Sequence, residues 1–329
     1  MNRRDAVSVF CALGALRALA VHAQAAAKVR RIGFFYYGSR QSAIQTGRYK
    51  AFLRGMRELG YVDGKDFLVE ARYADGKVDR LSELVADLVR SRVDVIVATG
   101  GPPIRAAQRA TSTIPIVFTV TFDPVHEGFA ESLARPGGNI TGITSMSHDL
   151  LPKQIELLAA FIPDLKRVGV LLKPDNPAHP QFLKLLIAGG AKLGVQILEI
   201  RARTPDEIES GFAGLRGGLV QAVVVLGETF FVQQSRQIAS LARTHGLASV
   251  YIDRIYPEAG GLASYGPSII DSMHRAAYYV DRILRGAKPG ELPIEQPTRL
   301  YLVINRTAIR EIGLAIPKEV LVRADEVIE

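Results

Sequence analysis

The chain has 329 residues, 48% of them hydrophobic, with 41 Lys and Arg against 33 Asp and Glu, a formal charge of +8. That length exceeds the usual size of one core, and the composition excludes a disordered chain, so two lobes are the default expectation. The single cysteine, Cys11, excludes a disulfide framework or a thiolate metal site.

Positions 1–27 read as a secretory signal peptide: Arg3 and Arg4 form a basic start, Ala6 to Ala23 is mostly apolar, and small residues follow. Arg3, Arg4, Arg17 and Asp5 give this leader a net +2, leaving +6 for the remainder. That charge is dispersed without a dense basic run, which argues for solvated faces and against nucleic acid.

Ile32 to Tyr37 reads as a central strand, Ala43 to Leu59 as a helix stopped by Gly60, and Phe67 to Tyr73 as an alternating strand. An amphipathic helix over Val78 to Arg90 leads to a buried strand, Val93 to Ala98, and the loop Thr99-Gly100-Gly101-Pro102-Pro103 opens the next helix. Ile114 to Val120 closes this set. The following stretch, Thr121 to Thr144, carries the turn cluster Pro136-Gly137-Gly138-Asn139 and is where the chain is expected to cross to a second lobe.

The same order of landmarks then recurs. Gly33 corresponds to Gly169, Leu59-Gly60 to Leu193-Gly194, Val93–Val97 to Ala222–Leu226 and Ile114–Phe118 to Leu247–Tyr251, with shifts of 136, 134, 129 and 133 residues. This predicts two copies of one β-α-β unit, each a mostly parallel sheet flanked by helices. A strand over Gly260 to Gly266, a helix over Ser268 to Leu284 and a strand over Leu300 to Ile304 require further crossovers. The expected first lobe is 28–143 plus about 255–287, and the second is 144–254 plus about 288–329.

Several long stretches carry a family resemblance: LGYVDGKDFLVEARYADG at 59–76, DPVHEGFAESLARPGGNITG at 123–142, AAYYVDRILRGAKPGELPIEQPTRLYLVIN at 276–305 and GLAIPKEVLVRADEVIE at 313–329. In them the chain resembles the solute-binding components of ABC transporters with the type I periplasmic-binding fold, in the subgroup of tryptophan and other aromatic amino acid binders. The resemblance implies two Rossmann-like lobes with multiple crossovers. It also implies a periplasmic or otherwise extracytoplasmic monomer that carries no cofactor or metal and closes on a small solute for delivery to membrane permease subunits. Where family members commonly have a hydroxyl residue followed by Pro-Ala, this chain has Gly100-Gly101-Pro102-Pro103.

Open α/β sheets bind ligands outside the carboxyl ends of their strands. That rule selects Tyr36, Tyr37, Gly38, Ser39, Gly100, Gly101, Phe122 and Asp123 from the first lobe. From the second it selects Pro174, Asp175, Asn176, Gly227, Glu228, Thr229 and Asp253, with Thr144 to Met146 at the crossover and Tyr265 beyond it. For an amino acid with an aromatic or branched side chain, the Gly100 and Gly101 amides would receive the carboxylate. Asp123, Glu228 or Asp253 would receive the ammonium, and Tyr36, Tyr37, Phe122 or Phe230 would form the wall. Asp123 before Pro124 equally fits a turn cap, Glu228 a solvent-facing acid, and one of the two tyrosines must point away from the cleft. The alternatives are a receptor for a signalling partner and an enzyme using strand-end carboxylates. The six histidines show no metal-ligand spacing, and no nucleophile elbow occurs.

Overall fold

The computed structural model describes residues 29–145, 150–215 and 220–329. The expected signal peptide at 1–27 and the site candidate Met146 lie outside the described residues. The first five strands are β1 (Arg30–Tyr36), β2 (Phe67–Tyr73), β3 (Val95–Thr99), β4 (Ile116–Thr121) and β5 (Ile140–Thr144). They form one parallel sheet in the order β2-β1-β3-β4-β5. Strands β6 (Arg167–Leu172), β7 (Gln196–Arg201), β8 (Ala222–Val225), β9 (Ala248–Tyr251), β10 (Ala263–Gly266), β11 (Tyr301–Asn305) and β12 (Glu326–Ile328) form the second, in the order β12-β11-β10-β9-β8-β6-β7. Among the described residues only the β10–β11 pair is antiparallel.

Both sheets are covered on two faces, which is why their strands read as continuous apolar runs. In the first, Ile32, Phe34, Val95 and Val97 pack under helices Arg48–Glu58 and Ile269–Leu284, while Phe35, Ile96, Ala98 and Phe118 face helices Leu81–Arg90 and Gly101–Ala110. Alternate residues of one strand thus enter different cores. The two helices on the first face cross at Gly55, where an added β-carbon would stand 2.5 Å from the His274 carbonyl oxygen. The single helix expected over 43–59 is two, Arg40–Gln45 and Arg48–Glu58, because Gly47 turns the chain through φ 71°.

The lobe boundaries expected near 255 and 288 shift. β10 pairs with β9 and β11, so residues up to Gly266 belong with the second sheet, and the chain crosses back only before the helix Ile269–Leu284. Residues 288–295 stay with the first lobe. Thr144 N–H donates to the Glu295 carbonyl at 2.9 Å, Thr141 Oγ1 to that of Leu292 at 2.8 Å, and Ile294 is buried in the first-lobe core. The physical reason is pairing: a four-residue strand follows its hydrogen-bonded neighbours and not the nearest glycine or proline. Among the described residues no helix is long and apolar enough to cross a membrane.

Candidate ligand site between the lobes

The carboxyl ends of both sheets open onto one cavity of about 860 Å³. From the first lobe it is walled by Gly100, Gly101, Val120 and Phe122, and from the second by Asn176, Gly227, Glu228, Thr229 and Asp253. The lobes touch around it. An added β-carbon on Gly100 would stand 3.2 Å from Thr229 Oγ1, and one on Gly227 only 2.7 Å from the Phe122 ring. Phe122 also packs edge-on against Phe182 of the second lobe at 5.0 Å. Farther out, Gln233 lies against Gly38 and Gly76.

The deepest link is ionic. Arg48 Nη2 donates to Asp253 Oδ2 at 2.6 Å and its Nη1 reaches Tyr36 Oη at 3.4 Å. Burial alone would lower the Arg48 pKa, but Tyr36 and Asp253 outweigh it and the group is held above its ordinary value. Arg48 occupies the buried face of its helix with Phe52, Gly55 and Met56, so it is delivered to the cleft by the same stripe that packs the core.

The second-lobe wall is held by side-chain hydrogen bonds, with His179 behind it. His179 is fully buried; its Nδ1 accepts from the Lys173 N–H at 2.9 Å, which places the ring proton on Nε2, 3.3 Å from the Gly227 carbonyl. Burial holds its pKa below the ordinary value, opposed by the charge of Glu228. Asn176 Nδ2 donates to Glu228 Oε2 at 2.8 Å while its Oδ1 accepts from Ala178 N–H. Glu228 also caps helix Thr229–Gln233 through Phe230 N–H at 3.5 Å.

The first lobe presents backbone at its strand ends, and helices Leu81–Arg90 and Gly101–Ala110 extend the wall outward with side chains such as Leu81, Val85 and Ala106. Val120 sits at φ 60°, where the β4–β5 register shifts between Thr119 and Thr121. For a β-branched residue this conformation is strained by roughly 1–3 kcal/mol, the kind of strain that clusters at binding sites. Gly100, at φ 86°, donates its N–H to the Thr119 carbonyl at 3.1 Å, and Pro102 and Pro103 carry none. The expected pair of glycine amides therefore shrinks to that of Gly101. Glu127, half-buried, takes the Phe122 and Asp123 N–H groups on Oε1 at 3.0 and 3.1 Å. Burial raises its pKa, with those two backbone bonds opposing.

Ten of the residues selected from sequence line the cavity: Gly100, Gly101, Phe122, Ser145, Asp175, Asn176, Gly227, Glu228, Thr229 and Asp253. The others do not. Asp123 Oδ1 accepts from Val125 and His126 N–H, the turn cap. Ser39 caps helix Arg40–Gln45 through Ser42 N–H, and Thr144 Oγ1 donates to the Thr121 carbonyl. Tyr36 is core and reaches the cleft only through Arg48, Tyr37 donates to the Gly76 carbonyl at 2.6 Å, and Tyr265 packs on the second-lobe core. Arg48, Glu127, Lys173 and Tyr256 line the cavity and were missed. A charge on an apolar helical stripe was the available signal for Arg48, and a lysine closing the buried run RVGVLL was the signal for Lys173. Glu127 had none.

A family model described as ABC transporter substrate binding protein matches residues 39–328. A protein named tyrosine-binding protein from Clostridioides difficile (strain R20291) is 22% identical over 265 residues, 80% of this chain and 76% of that one. Among solved structures, a conserved domain protein from Vibrio cholerae is similar at TM-score 0.84 and 26% identity, covering 91% of this chain and 100% of its own. An ABC domain in complex with L-Trp from Streptococcus pneumonia is similar at TM-score 0.83 and 24% identity, covering 92% and 100%.

Proposed function

The chain belongs to the family of ABC transporter substrate-binding proteins, and from that premise we propose that it is an extracytoplasmic receptor for an amino acid with an aromatic or branched side chain. The solute is held between the lobes, which close on it for delivery, unaltered, to a membrane permease. The observation that carries this reading is the convergence of strand ends from both sheets on one cavity offering charged groups beside aromatic ones. Phe122 and Tyr256 supply flat apolar surface, and Tyr256 is itself stacked on Tyr251 at 4.2 Å and 3°. The relatives named for tyrosine and bound to L-Trp support an aromatic solute. His179 has both ring nitrogens turned to backbone groups, so the histidine at this site serves as scaffold and not as a general base.

Closure requires the solute to bind the closed arrangement better than the open one. Bonds made from each lobe to one molecule supply that difference. The test is a thermal-shift screen of the twenty amino acids on the mature chain. An aromatic amino acid is expected to raise the melting temperature with concentration, by about 2.7 kcal/mol of stabilisation at a hundredfold excess over Kd, and to be recovered unchanged. If no amino acid shifts the transition, the reading is wrong.

A further inference from the structure

Four carboxylates line the cavity: Glu127, Asp175, Glu228 and Asp253. Three are fully committed. Asp253 uses Oδ2 for Arg48 and Oδ1 for Ile255 N–H, Glu228 uses its two oxygens for Asn176 and Phe230, and Asp175 meets Arg203 Nε through both of its own at 3.2 and 3.1 Å. Glu127 differs. Its Oε1 takes two backbone N–H groups, but its Oε2 has no hydrogen-bond partner among the described residues, and it stands beside Gly101, where an added β-carbon would lie 3.2 Å away.

The cations divide in the same way. Arg48 is paired with Asp253 and Arg90 with Asp87, while Arg105 lies 4.8 Å above the Phe129 ring and donates to the Glu127 carbonyl. Arg109 is exposed, in the last turn of helix Gly101–Ala110, away from the strand ends. Lys173, at the end of β6, makes no ion pair among the described residues. Its Nζ lies 5.8 Å from the Tyr37 ring centroid and 5.6 Å from that of Phe230.

The cavity therefore presents one uncommitted carboxylate oxygen from the first lobe and one uncommitted ammonium from the second. We propose that these two groups set the polarity of the bound amino acid: its ammonium binds Oε2 of Glu127 and its carboxylate binds Nζ of Lys173. The assignment rests on the amino acid reading above and replaces Asp123, Glu228 and Asp253 as receivers of the ammonium. A partly buried charge short of partners is costly. Lys173 makes no ion pair among the described residues, and Glu127 has two backbone N–H groups on one oxygen and the Arg105 charge nearby, so a charge-assisted hydrogen bond to a ligand would be of the stronger kind. The zwitterion supplies both partners at once. The upward shift of the Glu127 pKa by burial is what a carboxylate awaiting a cation would show. Because the two residues belong to different lobes, the ligand's own charges tie the lobes together, which gives closure its differential affinity.

The test is calorimetric titration of the mature chain, E127Q and K173M with three probes: the amino acid that shifts melting most, its decarboxylated amine and its deaminated acid. For L-tyrosine the last two are tyramine and hydroxyphenylpropionate. Each variant is expected to weaken the amino acid at least tenfold, about 1.4 kcal/mol. The amine is expected to weaken with E127Q alone and the acid with K173M alone. E127Q keeps a carbonyl oxygen for the Phe122 and Asp123 N–H groups, and Lys173 is partly exposed, so both chains should fold; their melting without ligand checks this. If E127Q fails to fold, K173M with the three probes still decides the Lys173 half. The proposal is overturned if a folded variant binds the amino acid within twofold of the parent, or if the amine and acid sensitivities are exchanged. A parent chain that binds no amino acid overturns the proposed function and this assignment together, whereas an unaffected folded variant overturns the assignment alone.

Discussion

At the strand ends the first lobe presents chiefly backbone, at Gly100, Gly101 and the strained Val120, whereas the second lobe presents Asn176 bonded to Glu228, braced from behind by His179 on the Lys173 and Gly227 backbone. The two sheets share one β-α-β plan, yet they line the cavity by different means. Backbone walls keep their shape when side chains change, because peptide groups are held by the ladders behind them. A side-chain wall depends on every partner being present, since one deletion orphans the others.

The largest expected effect lies where the walls join. In R48M, Asp253 is left as an uncompensated charge, and breaking a buried pair costs about 3–5 kcal/mol. Because this pair spans the lobes, opening can hydrate Asp253, so the loss should appear as a larger radius of gyration by X-ray scattering as well as a lower urea midpoint. Unchanged dimensions and midpoint would remove Arg48 from its linking role.

Next comes the second-lobe network. H179A should cost about 2–3 kcal/mol, because the Lys173 N–H and the Gly227 carbonyl each lose a partner. The pH sign follows from the downward shift. The unfolded chain takes up the histidine proton first, so stability is held above the unfolded value near 6.5 and falls as pH drops below it toward the lower folded value. The difference in stability between parent and H179A should therefore shrink as pH falls through that window. A difference constant with pH would mean that the ring is not kept neutral by folding. Glu127, whose folded pKa is raised, acts in the opposite sense: its contribution declines as pH rises from 4.5 through the folded value.

A smaller effect probes the contact between the walls. G227A puts a methyl 2.7 Å from the Phe122 ring, overpacking by about 1–3 kcal/mol that is felt only when the lobes are together. Because the lobes touch here without ligand, unliganded melting and ligand affinity should both fall; weaker affinity with unchanged melting would mean that the contact forms only on closure. The smallest effect belongs to D123A, which removes a turn cap at about 1 kcal/mol and should leave affinity within twofold. A tenfold loss of affinity there would restore Asp123 to the site.

The elements themselves were legible because helices and strands leave local periodic marks. Val93–Ala98 reads as a buried strand from its own residues, and the recurrence of Gly33 at Gly169 exposes the duplicated plan. The rule that ligands sit at strand ends, with the crossover, found ten cavity residues. It failed where position at a strand end was followed by inward commitment: Tyr37 turns to the Gly76 carbonyl and Asp123 to its own loop. It also failed at the lobe boundaries, since the short β10 belongs to whichever sheet offers it partners.

What the sequence alone determined is the order of elements, the doubling of the unit and the ends at which a solute would be met, all properties of neighbours within a few turns of chain. Only the tertiary structure decided which charges are already spent. Arg48 and Asp253 stand 205 positions apart, and Glu127 keeps one oxygen uncommitted because two backbone groups from the end of β4 claim the other. A charge is engaged or free according to what lies within about 3 Å of it, and the folding of both lobes sets that distance.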